Sequence, residues 1–256
     1  MQTHFYVIAL CFWLLSCNTG SETTEPDNSL LGTLEQAHRV ESFHEKEVLA
    51  YDFELEFGGT NRFQGTIYQT PSMDKIRFVK ADGVELLYDR GALYVSPDTA
   101  EYRNARFAAL TYPYFAAAPY KLSDPGTTFT ETGEQNYSGK PYPTGKLTFG
   151  EGIGDSPDDW YLVFQDPDSK RAAAMAYIVT AGGRSVEEAE KSPSMISYTG
   201  YEEVDDIPFS KKWNFTRYTE GNAPGEQRGS ATLTNVRFVP LGDTFRVPDN
   251  ARRLED

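Results

Sequence analysis

The chain is short of cysteine, histidine and positive charge. Its 256 residues include two cysteines, three histidines and 24 Lys+Arg against 38 Asp+Glu, for a formal net charge of −14. Each shortage removes a class of function. A polyanion without clustered Lys and Arg does not hold phosphate backbones, which excludes nucleic acid as a partner. Two cysteines are too few for a disulfide scaffold or a cysteine zinc site, and the histidines supply neither an HExxH helix nor a multi-histidine metal centre. There is no P-loop and no G-x-S-x-G elbow, so the sequence announces no cofactor and no nucleophile. What the chain does have is aromatic rings. The 16 Phe, 16 Tyr and 3 Trp make up 14% of it, enough large apolar groups to fill one core of roughly 200 to 250 residues.

The longest apolar run, at 5–15 (FYVIALCFWLL), carries no charge, yet it falls well short of the roughly 20 residues that cross a bilayer. It reads as the h-region of a signal peptide spanning 1–16. The run ends in Leu14, Leu15, Ser16 and Cys17, which resembles the lipobox of bacterial lipoproteins. That resemblance implies cleavage before Cys17 and a diacylated Cys17, so that the membrane becomes a partner through lipid; two or more acyl chains anchor stably where one does not. Cleavage also removes Cys11 and His4, leaving no thiol to pair and only His38 and His44. Residues 18–28 (NTGSETTEPDN) contain no large apolar group, so 17–28 forms a lipidated cysteine and a hydrated tether. By the sorting rules that come with the lipobox, Asn18 after the cysteine leans toward export to the outer membrane of the bacterial envelope, with the face left open.

Residues 29–256 read as a single domain. Leu30, Leu31, Leu34, Ala37 and His38 recur at helical spacing, with Asn28 or Ser29 as N-cap. The period then changes to two: Tyr51, Phe53, Leu55 and Phe57 alternate with Asp52, Glu54 and Glu56, the pattern of a strand with one buried and one wet face. Further strands are expected at 62–70, 75–80, 84–88, 93–96, 127–132, 145–149, 160–164, 172–180, 195–204, 211–218 and 230–239, separated by turn chemistry such as Asp82-Gly83 and Arg90-Gly91. The expected class is mainly β, a meander forming a large curved antiparallel sheet with a few short helices. One or two buried apolar helices are expected at 104–118 (NARFAALTYPYFAAA), closed by Pro119, and a short exposed helix opens at the capping-box spacing Ser185 to Glu188.

The lipobox, the Ala37-His38 helix, the segment 114–126 (YFAAAPYKLSDPG), the turn 152–161 (GIGDSPDDWY) and the late 245–248 (FRVP) together resemble an uncharacterised family of envelope lipoproteins. That family is itself similar to LolA, LolB and LppX, carriers of lipoproteins and lipids. The resemblance runs over most of 30–250. It implies a LolA-like half-barrel wrapped around short helices on its concave face, with an apolar cavity between them. It brings no catalytic motif, so the chain is read as not an enzyme.

Three functions fit these residues. In the first, Phe107, Tyr112, Tyr114, Phe115, Tyr120 and Leu122 wall a site for an acyl chain, lipid or lipoprotein. In the second, carboxylates near Asp155 to Asp159 serve a hydrolase or carbohydrate-active enzyme, since paired carboxylates facing each other across a cleft cleave glycosides. In the third, the core is fully packed and the protein is a structural or interaction module. Asp155, Asp158 and Asp159 form the best polar constellation and a weak calcium candidate, although their spacing does not match an EF-hand loop.

Overall fold

The computed structural model describes residues 27–255. The expected signal peptide 1–16, the expected lipidation at Cys17 and most of the expected tether lie outside the described residues. The domain opens with α1 (Leu30–His38), whose N-cap Ser29 accepts a hydrogen bond from the Gly32 amide and whose Leu30, Leu34 and His38 form a buried stripe. Arg39 turns the chain through a left-handed conformation into α2 (Val40–His44), which buries Phe43.

Strands β1 (Val48–Phe57), β2 (Thr60–Gln69), β3 (Lys75–Lys80), β4 (Glu85–Asp89) and β5 (Ala92–Ser96) follow, then α3 (Ala105–Ala117) and a 3-10 turn (Ala118–Tyr120). The second half holds β6 (Thr127–Tyr137), β7 (Lys140–Phe149), β8 (Trp160–Gln165), β9 (Ala172–Tyr177), α4 (Val186–Glu190), β10 (Ser194–Val204), β11 (Ile207–Arg217), β12 (Gln227–Val239) and β13 (Arg252–Leu254). All thirteen belong to one antiparallel sheet ordered β13-β5-β4-β3-β2-β1-β12-β11-β10-β9-β8-β7-β6.

That order dictates where the helix goes. The chain walks outward from β1 to β5, and the next strand, β6, lies at the opposite edge. The connection must therefore cross the sheet, and α3 with its 3-10 turn is that crossing. The expected single meander is in fact two, joined at the centre where β1 pairs β12 from Val48↔Val239 to Phe57↔Gly229.

The sheet is open and curved around the crossing helix. Register shifts at Ala50/Asp52, Leu55/Glu56, Glu131/Gly133, Phe164/Gln165 and Phe215/Thr216 mark bulges, and each bulge adds local bend and twist. At Gly145 a side chain would run into the Phe129 ring, so the glycine lets that ring lie flat across β7. The concave face collects Tyr51, Phe53, Phe63, Phe78, Trp213 and Phe215 with Phe115 of α3 into one core. Alternation along β1 is as read: Tyr51, Phe53 and Leu55 are buried while Glu54 and Glu56 are exposed.

Two patches cover the convex face. Tyr137, Tyr218 and Ala223 close over Leu162, Phe164 and Met195. Phe245, in the strap from β12 to β13, closes over Val48 and Leu87. The strap then pairs β13 with edge strand β5.

The local reading falls short in two places. Strands β6 and β7 run on through 133–144, because a two-residue turn with positive φ at Ser138 and Gly139 pins the hairpin without apolar alternation. Strand β13 also had no periodic signal. The 104–118 stretch, expected as one or two buried helices, is one helix with Pro113 inside it, continued by the 3-10 turn.

Candidate functional site

A cavity of about 670 Å³ lies between α3 and the β7–β9 part of the sheet. Helical spacing decides which residues reach it. Arg106, Phe107, Leu110, Thr111, Tyr114 and Phe115 lie on the face of α3 that lines it, and they recur at the one- and four-residue steps of a helical stripe. Phe107 sits at the rim and is 38% exposed.

The facing wall comes from consecutive strands. Phe149 of β7, Tyr161 of β8 and Tyr177 of β9 present rings to the same space, with Tyr161 and Tyr177 stacked at 6.0 Å. The two walls meet ring to ring: Tyr114 lies 5.2 Å from Tyr161 and Phe115 lies 4.9 Å from Tyr177. Burial pushes the Tyr114, Tyr161 and Tyr177 phenols above their ordinary range, so these walls stay uncharged near neutral pH. The Tyr114 hydroxyl is buried without a hydrogen-bond partner among the described residues. Ile153 and Val179, from the loops after β7 and β9, and Met73, after β2, complete the apolar lining.

Five charged side chains interrupt it. Arg106 pairs with Asp155 and donates to the Gly91 carbonyl at 3.1 Å. Lys121 pairs with Asp124 and reaches the Pro71 carbonyl at 3.4 Å. Asp159 is 8% exposed; its Oδ1 accepts from the Thr180 amide at 2.7 Å and the Thr180 hydroxyl at 2.8 Å. Desolvation raises its pKa, while the Thr180 hydrogen bonds oppose the rise.

The six residues read as an apolar wall therefore divide. Phe107, Tyr114 and Phe115 line the cavity. Tyr112 lies about 200° from Tyr114 around the helix axis and packs on Phe53, 5.9 Å between ring centres. Tyr120 is stacked on Phe43 at 4.1 Å and donates its hydroxyl to the Pro208 carbonyl, and Leu122 is buried in the core. Sequence reading missed Leu110, Phe149, Tyr161 and Tyr177. The strand residues carried a signal in their inward period-two positions, but no local pattern says that empty space rather than a packed neighbour faces them.

Of the carboxylates of 155–159, Asp155 and Asp159 line the cavity and Asp158 does not. Asp155 holds Arg106, Asp158 is exposed and Asp159 holds Thr180. No group of three or more His, Cys, Asp or Glu among the described residues is placed to hold a metal ion. His38 is buried away from the cavity, where its Nε2 accepts from the Ala172 amide at 2.9 Å. The His44 ring lies 3.0 Å from the Tyr120 carbonyl, to which it donates.

With this geometry in hand, solved structures supply a fold. A LolA superfamily protein from Nitrosomonas europaea is similar over 84% of this chain and 98% of its own, at TM-score 0.53 and 8% identity. The fold is LolA-like. A DUF1329 family protein from Desulfovibrio piger is similar over 87% of this chain and 97% of its own, at TM-score 0.50 and 14% identity. No protein-family model and no curated protein matches the chain. At such identities the likeness is one of architecture, and the LolA-like sheet by itself assigns no ligand. No helix among the described residues is long and apolar enough to cross a membrane.

Proposed function

We propose that the protein is a lipid-anchored component of the bacterial cell envelope that binds or carries an apolar ligand, an acyl chain or lipid, between α3 and strands β7–β9. The observation that carries this reading is the cavity itself. Its volume of about 670 Å³ falls within the roughly 300 to 1,000 Å³ of small-molecule sites, and such sites are lined by apolar and aromatic groups with a few polar ones. A structural module would fill this space, because interiors pack to crystal-like density. Each methylene taken from water into the cavity contributes about 0.8 kcal/mol, so even a short chain has a substantial driving force.

Among the described residues no histidine or cysteine lines the cavity, which favours binding over thiol or histidine-assisted catalysis. The anchor at Cys17 and the placement in the outer membrane rest on Leu14 to Asn18.

Protein extracted from its native membrane is expected to carry lipid in native mass spectrometry, and to take up a fluorescent lipid probe that Leu110→Trp excludes. Wild-type protein that is lipid-free and takes up no probe would sink the carrier reading. Intact mass tests the anchor separately: it should show a chain beginning at an acylated Cys17, with Cys17→Ala losing detergent partitioning.

A further inference from the structure

The charged groups of the cavity carry a statement about the head of the ligand. Its lining holds two cations, Arg106 and Lys121, and three carboxylates, Asp124, Asp155 and Asp159. Each cation is already held by a carboxylate and a backbone carbonyl. Neither stands ready for an incoming anion.

The third carboxylate has no such partner. Among the described residues Asp159 forms no ion pair; its Oδ1 is held by Thr180, and its Oδ2 accepts no hydrogen bond. Close to it lie the buried, uncharged Tyr161 and Tyr114 phenols, whose ionisation burial and its charge both push upward, and on the solvent side the Asp158 carboxylate, which adds to the negative field. The excess charge of the wall is therefore negative and sits where water is scarce. A second anion placed there meets repulsion that the low-dielectric surroundings do little to screen. A hydroxyl head, in contrast, can donate to Asp159 and meet the hydroxyls of Thr111 and Ser156, which also line the space.

We propose that the cavity selects acyl ligands with an uncharged, hydroxyl-bearing head, the chemistry of an acylglycerol, and disfavours free fatty acids and other anionic lipids. This rests on the reading of the cavity as an apolar-ligand site. Asp159 sets the selectivity by repelling anions and accepting from hydroxyls.

Isothermal titration calorimetry of the full chain at pH 7.5 with 1-monolauroylglycerol and with lauric acid tests it, since the acyl chains are identical and the heads differ. The glyceride should bind at least tenfold tighter. Asp159→Asn should narrow that ratio at least threefold by tightening the acid. Because Asp159 also secures Thr180, Asp124→Asn provides a second variant: it releases Lys121 toward an anion and should narrow the ratio in the same direction. Lauric acid binding as tightly as the glyceride, with Leu110→Trp weakening both, would overturn the selectivity while leaving the apolar site intact. Failure of both ligands to bind would overturn the site and the selectivity with it.

Discussion

Between Phe107 and Tyr114 the inserted helix faces open space, whereas from Ala116 to Tyr120 the same apolar run is buried. Composition does not separate the two ends, because both are rich in alanine and aromatics. What separates them is the cover. The carboxyl end meets α1 and α2, which bring Leu34 and Phe43 against the 3-10 turn, and Tyr198 fixes the Phe115 carbonyl with a 3.0 Å hydrogen bond. Among the described residues no second helix lies over the amino end, so sheet aromatics and two loops enclose space instead of filling it. One end of the crossing is a fastening and the other is a wall.

The strongest way to break this contrast is at the fastening. Phe43→Ala removes a ring in contact with Tyr120, Phe209 and Phe238 and should lower stability by about 4 kcal/mol, read as a shift of the urea midpoint.

Acid attacks the same end. His38 is held down to about 3 by burial, with repulsion from Arg171 adding to it. Below its unfolded value near 6.5 the unfolded chain takes up a proton that the folded chain refuses. The contribution of this histidine is therefore complete above pH 6.5 and falls by about 1.4 kcal/mol per pH unit as acid is added, until the folded group itself titrates. Urea titrations at pH 7.5 and 4.5 should show a loss of roughly 2 to 3 kcal/mol in the wild type beyond that in His38→Gln; equal losses would contradict the assignment.

The smallest effect is expected at the wall. Leu110→Trp should change stability by less than about 1 kcal/mol, because its added volume enters the cavity rather than the packed core. A large loss by the same measurement would show the space to be packed after all.

Much of the sheet was legible because its inward and outward residues differ in kind. Tyr51 to Phe57 could be assigned from alternation alone, and Ser29 and Ser185 cap helices as their short polar side chains allow. The β6–β7 extension was not legible, since Glu131 to Asn136 is polar on both faces and its pairing comes from the turn and the partner strand. Nor could the pairing of β1 with β12 be read, because nothing local at Val48 points to Val239. The site was half legible for the same reason. A helical stripe through Phe107 and Tyr114 is a property of the sequence, but the placement of Tyr112 on the opposite side depends on which face of α3 meets Phe53. Phe149, Tyr161 and Tyr177 became wall residues only through the order of the strands.

The pairing of residue 48 with residue 239 at the centre of the sheet also sets a schedule. A polypeptide is made from its amino end, so β1 to β5 can zip together by short local connections while the other side of β1 waits for β12, among the last strands to emerge. Distant pairings of this kind slow folding and leave strand edges unprotected meanwhile. The bare edge of β1, with Tyr51, Phe53 and Leu55 beside it, is the part of the nascent chain most in need of a chaperone.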